Sequence, residues 1–245
     1  MNPIEEFETK KLANIRAQGQ DAGLRGKSLE WMLGTFPYSY SYNFSWLGIP
    51  IIQFPQDIVA LQEIIWELKP DLIIETGVAH GGSVIFSASI LELVGGDGRV
   101  VGIDIDIREH NRAWIEAHPM AKRITLIEGS SVSPAVIEEV NELARHRKAI
   151  MVILDSNHTH EHVAKELELY APLVSKDSYL VVFDTSIEDA PTEFFSDRPW
   201  GKGNNPRTAV WDFLKTTDRF VVDKDIESKL LVTVAPDGYL KCVKD

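Results

Sequence analysis

The chain is poor in the features that mark secreted, membrane-spanning and nucleic-acid-binding proteins. Its 245 residues include one cysteine, Cys242, which excludes an intramolecular disulfide framework and a cysteine-rich zinc site. The chain has 25 basic and 37 acidic residues and no basic block, and its net charge of -12 argues against nucleic acid or an anionic membrane as partner. No apolar run reaches membrane-spanning length, and the first residues lack the pattern of a signal peptide. We therefore expect a soluble cytoplasmic protein.

Short apolar runs alternate with helical patterns after about residue 70. The five runs are 71–76, 99–105, 123–129, 149–155 and 178–184. They are rich in β-branched residues and almost continuously apolar, as are strands that helices cover on both faces. This alternation predicts an α/β fold, a doubly wound and mostly parallel Rossmann-like sheet with right-handed crossovers.

Helix signals occupy the segments between the strands. Ser133–Pro134 and Asn205–Pro206 each predict an N-cap followed by proline at the first helical position. The apolar spacing of residues 163–174 follows one face of a further helix.

The two ends of the chain differ from its middle. Residues 1–69 combine a charged helix with an aromatic stretch, and we expect them to form an arm or cap on a domain that spans 70–245. The aromatic side chains of this arm could also form contacts between subunits, so we expect a homo-oligomer. Segments 219–225 and 230–243 are predicted to be strands, with a tight turn at Asp237–Gly238 and an antiparallel C-terminal strand.

The first apolar run leads into a glycine-rich turn, LIIETGVAHGGSV, at residues 72–84. In open α/β sheets ligands bind beyond the carboxyl ends of the strands, and glycines let a ligand approach the backbone. The pattern G-x-x-x-G-G is not the dinucleotide fingerprint, and the acid before it would repel a pyrophosphate. It suits a cationic group such as the amino acid end of S-adenosylmethionine (SAM), although a turn without any ligand is the alternative. The candidate cofactor-binding residues are Glu75, Gly77, Gly81 and Ser83.

The next two strand ends carry groups that suit a nucleoside. Asp104 ends the second run, where an acid accepts hydrogen bonds from ribose hydroxyls, and Asp106 is the second choice. Ser130 and Ser131 follow the third run, where small hydroxyls can meet an adenine edge. Together these three strand ends favour a nucleoside ligand without a pyrophosphate.

Acids and a histidine follow the fourth and fifth runs. Asp155 and Asp184, with Thr185 beside it, could supply oxygen ligands to Mg²⁺, which lowers the pKa of a bound hydroxyl. His158 is the candidate base because imidazole titrates near neutrality. The alternatives are an N-cap role for Asp155 and a plain loop acid at Asp184.

Two more histidines follow the candidate base. His160 and His162 lie where a helix should begin, and helical residues two apart do not share a face. We therefore expect both to be solvated residues of the first turn rather than metal ligands. No H-x-D or H-x-E pair opens an iron triad, which weighs against an iron oxygenase.

Several stretches in order make the chain resemble the cephalosporin-hydroxylase-like family, which includes rhamnosyl O-methyltransferases. They are WLGIPIIQFPQD, IIETGVAHGGS, VVGIDID, EGSS, LDSNHTHEHV and PWGKGNNPRTAV. The resemblance implies a class I SAM-dependent methyltransferase fold with a Mg²⁺ site. Related sugar O-methyltransferases have an acid and a histidine spaced D-x-x-H, which Asp155 and His158 match.

One departure from the family pattern concerns the metal site. Metal-binding members have Glu-Asp at the end of the fifth strand, whereas this chain has Phe183 and Asp184. Catechol-type O-methyltransferases place Asp-Asn there, and Asp184 with Thr185 has a similar shape but weaker ligation. Glu188 and Asp189 are candidates to compensate from the loop.

These residues predict a Mg²⁺-assisted O-methyltransferase, and the resemblance implies that its acceptor is a hydroxyl of a sugar or a glycosylated small molecule. Loop 194–206 is a candidate lid or acceptor-binding segment, in which Trp200 could stack on a sugar ring or simply be buried. The alternatives are an NAD-dependent oxidoreductase and a non-catalytic nucleoside-binding or assembly protein.

Overall fold

The computed structural model describes residues 2–245 and is built around an open sheet. The strands are β1 (Phe44–Trp46), β2 (Ile49–Ile51), β3 (Leu72–Thr76), β4 (Arg99–Asp104), β5 (Ile124–Glu128), β6 (Ile150–Leu154), β7 (Tyr179–Val182), β8 (Phe220–Val222) and β9 (Tyr239–Cys242). The helices are α1 (Pro3–Gln20), α2 (Ala22–Thr35), α3 (Pro55–Leu68), α4 (Gly82–Val94), α5 (Glu109–Ala117), α6 (Pro134–Ala144), α7 (His160–Tyr170), α8 (Pro206–Thr216) and α9 (Lys224–Leu230).

The main sheet has seven strands in the order β5-β4-β3-β6-β7-β9-β8. Strands β3 to β7 are parallel, and β9 is antiparallel to both of its neighbours. The doubly wound, mostly parallel fold with an antiparallel C-terminal strand is therefore confirmed. The chain winds one way from β3 to β5 and the other way from β6 onward, so β3 and β6 flank the crevice at which open sheets bind ligands.

Two hydrophobic cores cover the two faces of this sheet. Helices α3 and α4 pack on one face, and α6, α7 and α8 pack on the other. The central strands β3 and β6 are buried along their whole length, as their continuous apolar sequences predict.

The predicted helix starts are confirmed by their caps. The Ser133 hydroxyl accepts a hydrogen bond from Val136 N, and α6 begins at Pro134. The Asn205 side chain caps α8 by accepting from Arg207 N and Thr208 N. The helix predicted over 163–174 ends earlier, at Tyr170, because a 3-10 turn containing Pro172 follows it.

The N-terminal part consists of α1, α2, two 3-10 turns and the β1–β2 hairpin before α3. Helix α1 buries none of its own residues and packs along α9. Helix α3 joins the core through Ala60, Leu61, Ile64 and Ile65. The boundary at residue 69 between an arm and a separate domain stays a prediction.

The C-terminal strand prediction is partly wrong. Residues Lys224–Leu230 form helix α9, because Asp223 caps it by accepting from two main-chain amides. Residues 231–238 form a loop although they are rich in β-branched residues. Its amide at Val234 donates to the Asp57 carboxylate rather than to a strand. The predicted turn at Asp237 is present, but it joins this loop to β9.

Within residues 2–245, every helix is too short or too polar to span a lipid bilayer.

Candidate active site

The carboxyl ends of the parallel strands meet at one edge of the sheet. Thr76 at the end of β3 is in register with Ile103 of β4 and Leu154 of β6. Hydrogen bonds continue past these ends, from Gly77 N to Ile103 O (2.7 Å) and from Asp155 N to Thr76 O (2.9 Å). A cavity of about 350 Å³ lies above this edge, and we refer to it as the donor cavity.

The glycine turn forms one wall of the donor cavity. Gly77 has φ +92°, and a Cβ placed there would lie 2.0 Å from the carbonyl oxygen of Asp155. Gly81 also has φ +92°, and its Cβ would meet the side chain of Ile115 at 2.4 Å. Both positions therefore need glycine, for conformation and for space.

Five of the seven predicted cofactor residues line the donor cavity: Gly77, Ser83, Asp104, Ser130 and Ser131. Asp104 Oδ2 accepts from Val78 N (2.8 Å) and Ala79 N (3.0 Å), so it also fixes the glycine turn. Glu75 and Gly81 do not line this cavity.

Glu75 is buried at the end of β3. Ser83 Oγ donates to its Oε1, and Oε2 is buried without a hydrogen-bond partner. Burial raises the pKa of Glu75 to about 7. A nearby cation or hydrogen-bond donor would stabilise the ionised form of a carboxyl group in this position.

Asp155, His158 and Asp184 form the one cluster among residues 2–245 that could hold a metal ion, with one ligand atom from each lying within 4.8 Å of the others. His158 Nε2 lies 3.2 Å from Asp184 Oδ2. Withdrawal from water, and then the negative charge of Asp184, raise the pKa of Asp155 well above its usual range. The carboxylates of Asp155 and Asp184 lie close together and form a suitable donor set for Mg²⁺, which prefers a few carboxylate oxygens and retains several waters.

The other predicted metal ligands have different partners. Thr185 is buried, and its Oγ1 donates to Pro236 O (2.6 Å). The Glu188 carboxylate accepts from Gly203 N (2.8 Å), and Asp189 pairs with Arg207 (2.6 Å). The prediction that Glu188 or Asp189 compensates in the metal site is therefore wrong, because both carboxylates anchor the loop around α8.

Phe183 occupies the position where the family pattern has a further acid. Its ring is 2% exposed and packs 6.4 Å from the ring of Tyr239 in an edge-to-face arrangement. This side chain belongs to the core, so the cluster consists of two carboxylates and one imidazole.

The prediction that His160 and His162 are solvated is wrong. His162 lines the donor cavity, and its Nε2 lies 3.1 Å from Ser131 Oγ and 3.2 Å from Ser156 Oγ. His160 Nδ1 lies 2.8 Å from Thr208 Oγ1 on α8. The first turn of α7 starts close to the sheet edge, so both histidines contact neighbouring elements, whereas Glu161 between them is exposed.

A second cavity of about 700 Å³ opens on the other side of the cluster, and we call it the acceptor cavity. His158 and Asp184 lie at its floor, and His158 also lines the donor cavity. Its walls are aromatic, with Phe36, Tyr40, Tyr42 and Phe54 from the N-terminal part and Phe194, Phe195 and Trp200 from the loop before α8. The Trp200 ring packs edge-on against His158 at 4.8 Å.

Sequence reasoning missed the residues that the N-terminal part brings to the site. Tyr42 lines both cavities, and Gln53 Nε2 lies 3.3 Å from Asp155 Oδ2. Neither residue follows a predicted strand, so no local pattern marks them. The spacing of His162 and Glu166, one helical turn apart, was a signal for a paired histidine.

The chain is similar to known methyltransferases along most of its length. A family described as Rhamnosyl O-methyltransferase/CmcI matches residues 38–243. A rhamnosyl O-methyltransferase of Mycobacterium bovis is 31% identical over 216 residues, which cover 86% of this chain and 82% of that protein. A structure of CmcI without ligand has a TM-score of 0.61 and 22% identity, covering 83% of this chain and 78% of CmcI. A CmcI structure with Mg and SAM has a TM-score of 0.59 and 20% identity, with the same coverage.

These structures share the Rossmann-like methyltransferase fold described above. The sequence match extends from the N-terminal aromatic stretch through the glycine turn and the Asp155 cluster to β9. The chain therefore belongs to the Rhamnosyl O-methyltransferase/CmcI family.

Proposed function

We propose that this protein is a SAM-dependent, Mg²⁺-assisted O-methyltransferase that acts on a hydroxyl of a sugar or a glycosylated small molecule. One observation carries the proposal: the Asp155–His158–Asp184 cluster lies between two cavities, and His158 lines both. A methyl donor in one cavity and a hydroxyl acceptor in the other would meet at this cluster. The sugar acceptor is supported by the name of the mycobacterial relatives.

The donor cavity suits the two ends of SAM. Asp104 Oδ1 accepts only from Asp106 N (3.1 Å) and has capacity for a ribose hydroxyl, while Ser130 and Ser131 line the neighbouring wall. Next to Gly77, the buried Glu75 has a carboxyl oxygen without a partner, which would accept a hydrogen bond from the cationic amino acid end.

The cluster residues would act on the acceptor hydroxyl. Asp155 and Asp184 would hold Mg²⁺, which lowers the pKa of a hydroxyl bound to it. Asp184 Oδ2 lies within hydrogen-bonding distance of His158 Nε2, so the other ring nitrogen, Nδ1, would serve as the base. The two cavities would also align the acceptor oxygen with the methyl group of the donor, and this alignment would further accelerate methyl transfer.

The alternative functions have no support. The family match and the G-x-x-x-G-G turn do not favour an NAD-dependent oxidoreductase. The cluster has two carboxylates and one histidine, whereas the usual iron oxygenase triad has two histidines and one carboxylate. Two cavities that meet at an acid–histidine cluster favour an enzyme over a non-catalytic nucleoside-binding protein.

Two further features stay predictions. Apolar side chains exposed on the N-terminal part, such as Ile4, Phe7 and Trp31, support a homo-oligomer. A cytoplasmic location and the lack of nucleic acid and membrane partners rest on composition alone.

The substitution Asp155→Asn tests the proposal because it removes one carboxylate charge and preserves the side-chain shape. We expect methyl transfer from labelled SAM to p-nitrophenyl rhamnosides to fall about a hundredfold or more. In calorimetry, Mg²⁺ binding should be lost, whereas SAM binding should stay within about twofold. The matched control is Asp212→Asn, since Asp212 is an exposed acid on α8 that pairs with Lys215. Wild-type activity and Mg²⁺ affinity in the Asp155 variant would exclude the metal-assisted mechanism.

A further inference from the structure

A hydrogen bond from Gln53 joins the N-terminal part to the metal cluster. This residue lies between β2 and α3, is 4% exposed and lines the donor cavity. Its neighbours Ile51 and Phe54 are each 2% exposed in the core, so the backbone that carries Gln53 is fixed from both sides.

Gln53 contacts the cluster through a hydrogen bond to Asp155. Its Nε2 donates to Asp155 Oδ2 at 3.3 Å. A carboxylate rotates as a unit, so an amide that holds one oxygen also restricts the direction of the other. When Asp155 binds a cation, its carboxylate is ionised and only accepts, so in that state the amide must present its nitrogen to Asp155.

The other end of the same amide is buried without a partner. Gln53 Oε1 has no hydrogen bond, and neither has Glu75 Oε2. Gln53 and Glu75 line a small cavity of about 10 Å³, together with Ser83 and Asp155. This is the space of about one water molecule, which could donate to both oxygens and hold the amide in place.

We propose that Gln53 is a positioning residue, which orients the Asp155 carboxylate for Mg²⁺ and thereby couples the N-terminal part to the metal site. This inference rests on the proposed function, since it assigns a role toward the same ion. Groups that hydrogen-bond a metal ligand from outside the coordination shell commonly change metal affinity tenfold to a hundredfold when they are removed. Gln53 has the geometry of such a group.

The test is the substitution Gln53→Met, which keeps the length of the side chain and removes both hydrogen-bonding ends. We expect Mg²⁺ affinity, measured by calorimetry on the full chain, to fall about tenfold or more. SAM affinity and the thermal midpoint should change little. At saturating Mg²⁺, kcat should recover most of its value, because the cation would then occupy the site despite the freer carboxylate.

Gln56→Met is the matched control. Gln56 lies on the first turn of α3 and also has a buried amide oxygen without a partner, but no hydrogen bond links it to Asp155. The inference would be overturned if the two variants lost equal Mg²⁺ affinity. It would also be overturned if the loss of affinity in Gln53→Met were accompanied by a matching fall in the thermal midpoint. If Gln53→Met does not fold, Gln53→Leu is measured in the same way.

The outcomes for Gln53 and for the proposed function are distinguishable. Wild-type protein that binds no Mg²⁺ contradicts the proposed function and this inference together. Wild-type protein that binds Mg²⁺, with unchanged affinity in Gln53→Met, overturns only the role of Gln53.

Discussion

At the scale of single residues, Asp104 has hydrogen-bonding capacity that the fold does not use. Its Oδ2 accepts from two amides of the glycine turn, whereas Oδ1 accepts only from Asp106 N. A carboxylate oxygen has two lone pairs, so one acceptor site on Oδ1 remains for a ligand at the edge of the donor cavity.

The substitution Asp104→Asn should therefore weaken donor binding more than it disturbs the turn. An amide oxygen can still accept from the turn, while the NH₂ group replaces the acceptor that would face a ribose hydroxyl. We expect SAM affinity to fall about tenfold or more, because hydrogen bonds to charged groups contribute about 1.5–3 kcal/mol. Calorimetry with SAM measures this. Asp106→Asn is the control, since its carboxylate is exposed and pairs only loosely with Arg108 at 4.0 Å. Equal affinities in the two variants would exclude the ribose role.

The sequence predicts the residues that follow parallel strands better than it predicts the others. Asp104, Asp155 and Asp184 each end an apolar run, and parallel strands bring such ends together. His162 is predicted wrongly because the path of the chain between β6 and α7 decides what it contacts, and its helical spacing from Glu166 indicates only a local pair. Gln53 is missed because its place depends on how the N-terminal part packs on the sheet.

At the scale of elements, the site depends on the close approach of the β3 and β6 ends. Gly77 N donates to Ile103 O on the β4 side, and the position of its missing Cβ is filled by the Asp155 carbonyl on the β6 side. The turn that shapes the donor cavity and the strand end that carries the metal ligand are thus in direct contact.

Gly77→Ala should disturb both cavity and cluster. The backbone at φ +92° costs a non-glycine residue about 1–3 kcal/mol, and the 2.0 Å approach to Asp155 O adds a clash that only backbone movement can relieve. We expect a loss of more than about 3 kcal/mol in unfolding free energy, with weaker Mg²⁺ binding in whatever folds. Denaturant unfolding gives the first quantity and calorimetry the second. Gly96→Ala is the control, since Gly96 has φ +69° but open space around its missing Cβ. Similar losses in both variants would contradict the argument from the clash.

The predictions of helices and strands succeed where capping residues bound a segment. They fail where a distant side chain forms hydrogen bonds with the backbone of the segment. Ser133 and Asn205 mark helix starts correctly, since their capping bonds are local. The run after Leu230 looks like a strand, yet Val234 bonds to Asp57, which is distant in sequence. Such a partner is not visible in a local pattern.

At the scale of the whole molecule, the buried Asp57 joins the N-terminal part to the C-terminal loop. It lies on the first turn of α3, and its carboxylate accepts from Tyr239 Oη (2.8 Å), Val234 N (3.0 Å) and Thr233 Oγ1. The same loop accepts from Ser186 N through Val234 O (3.1 Å), just after Asp184. The two ends of the chain therefore support the acceptor side of the site together.

This buried acid makes stability depend on pH in a predictable direction. Burial raises the pKa of Asp57 from 3.8 to about 6, against the opposing effect of its hydrogen bonds. The folded state therefore binds the proton more tightly, so this contribution to stability is complete below about pH 4 and is lost as pH rises through 6. About two pKa units correspond to about 3 kcal/mol. Asp57→Asn cannot titrate, and its amide can still accept from Val234 N and donate to Tyr239 Oη. Relative to this variant, the wild-type protein should lose about 2 kcal/mol of unfolding free energy between pH 4 and pH 7, measured in urea. If the difference in unfolding free energy between the two proteins stays constant over this range, Asp57 does not titrate as expected. Asp57 would then contribute to stability only through its hydrogen bonds.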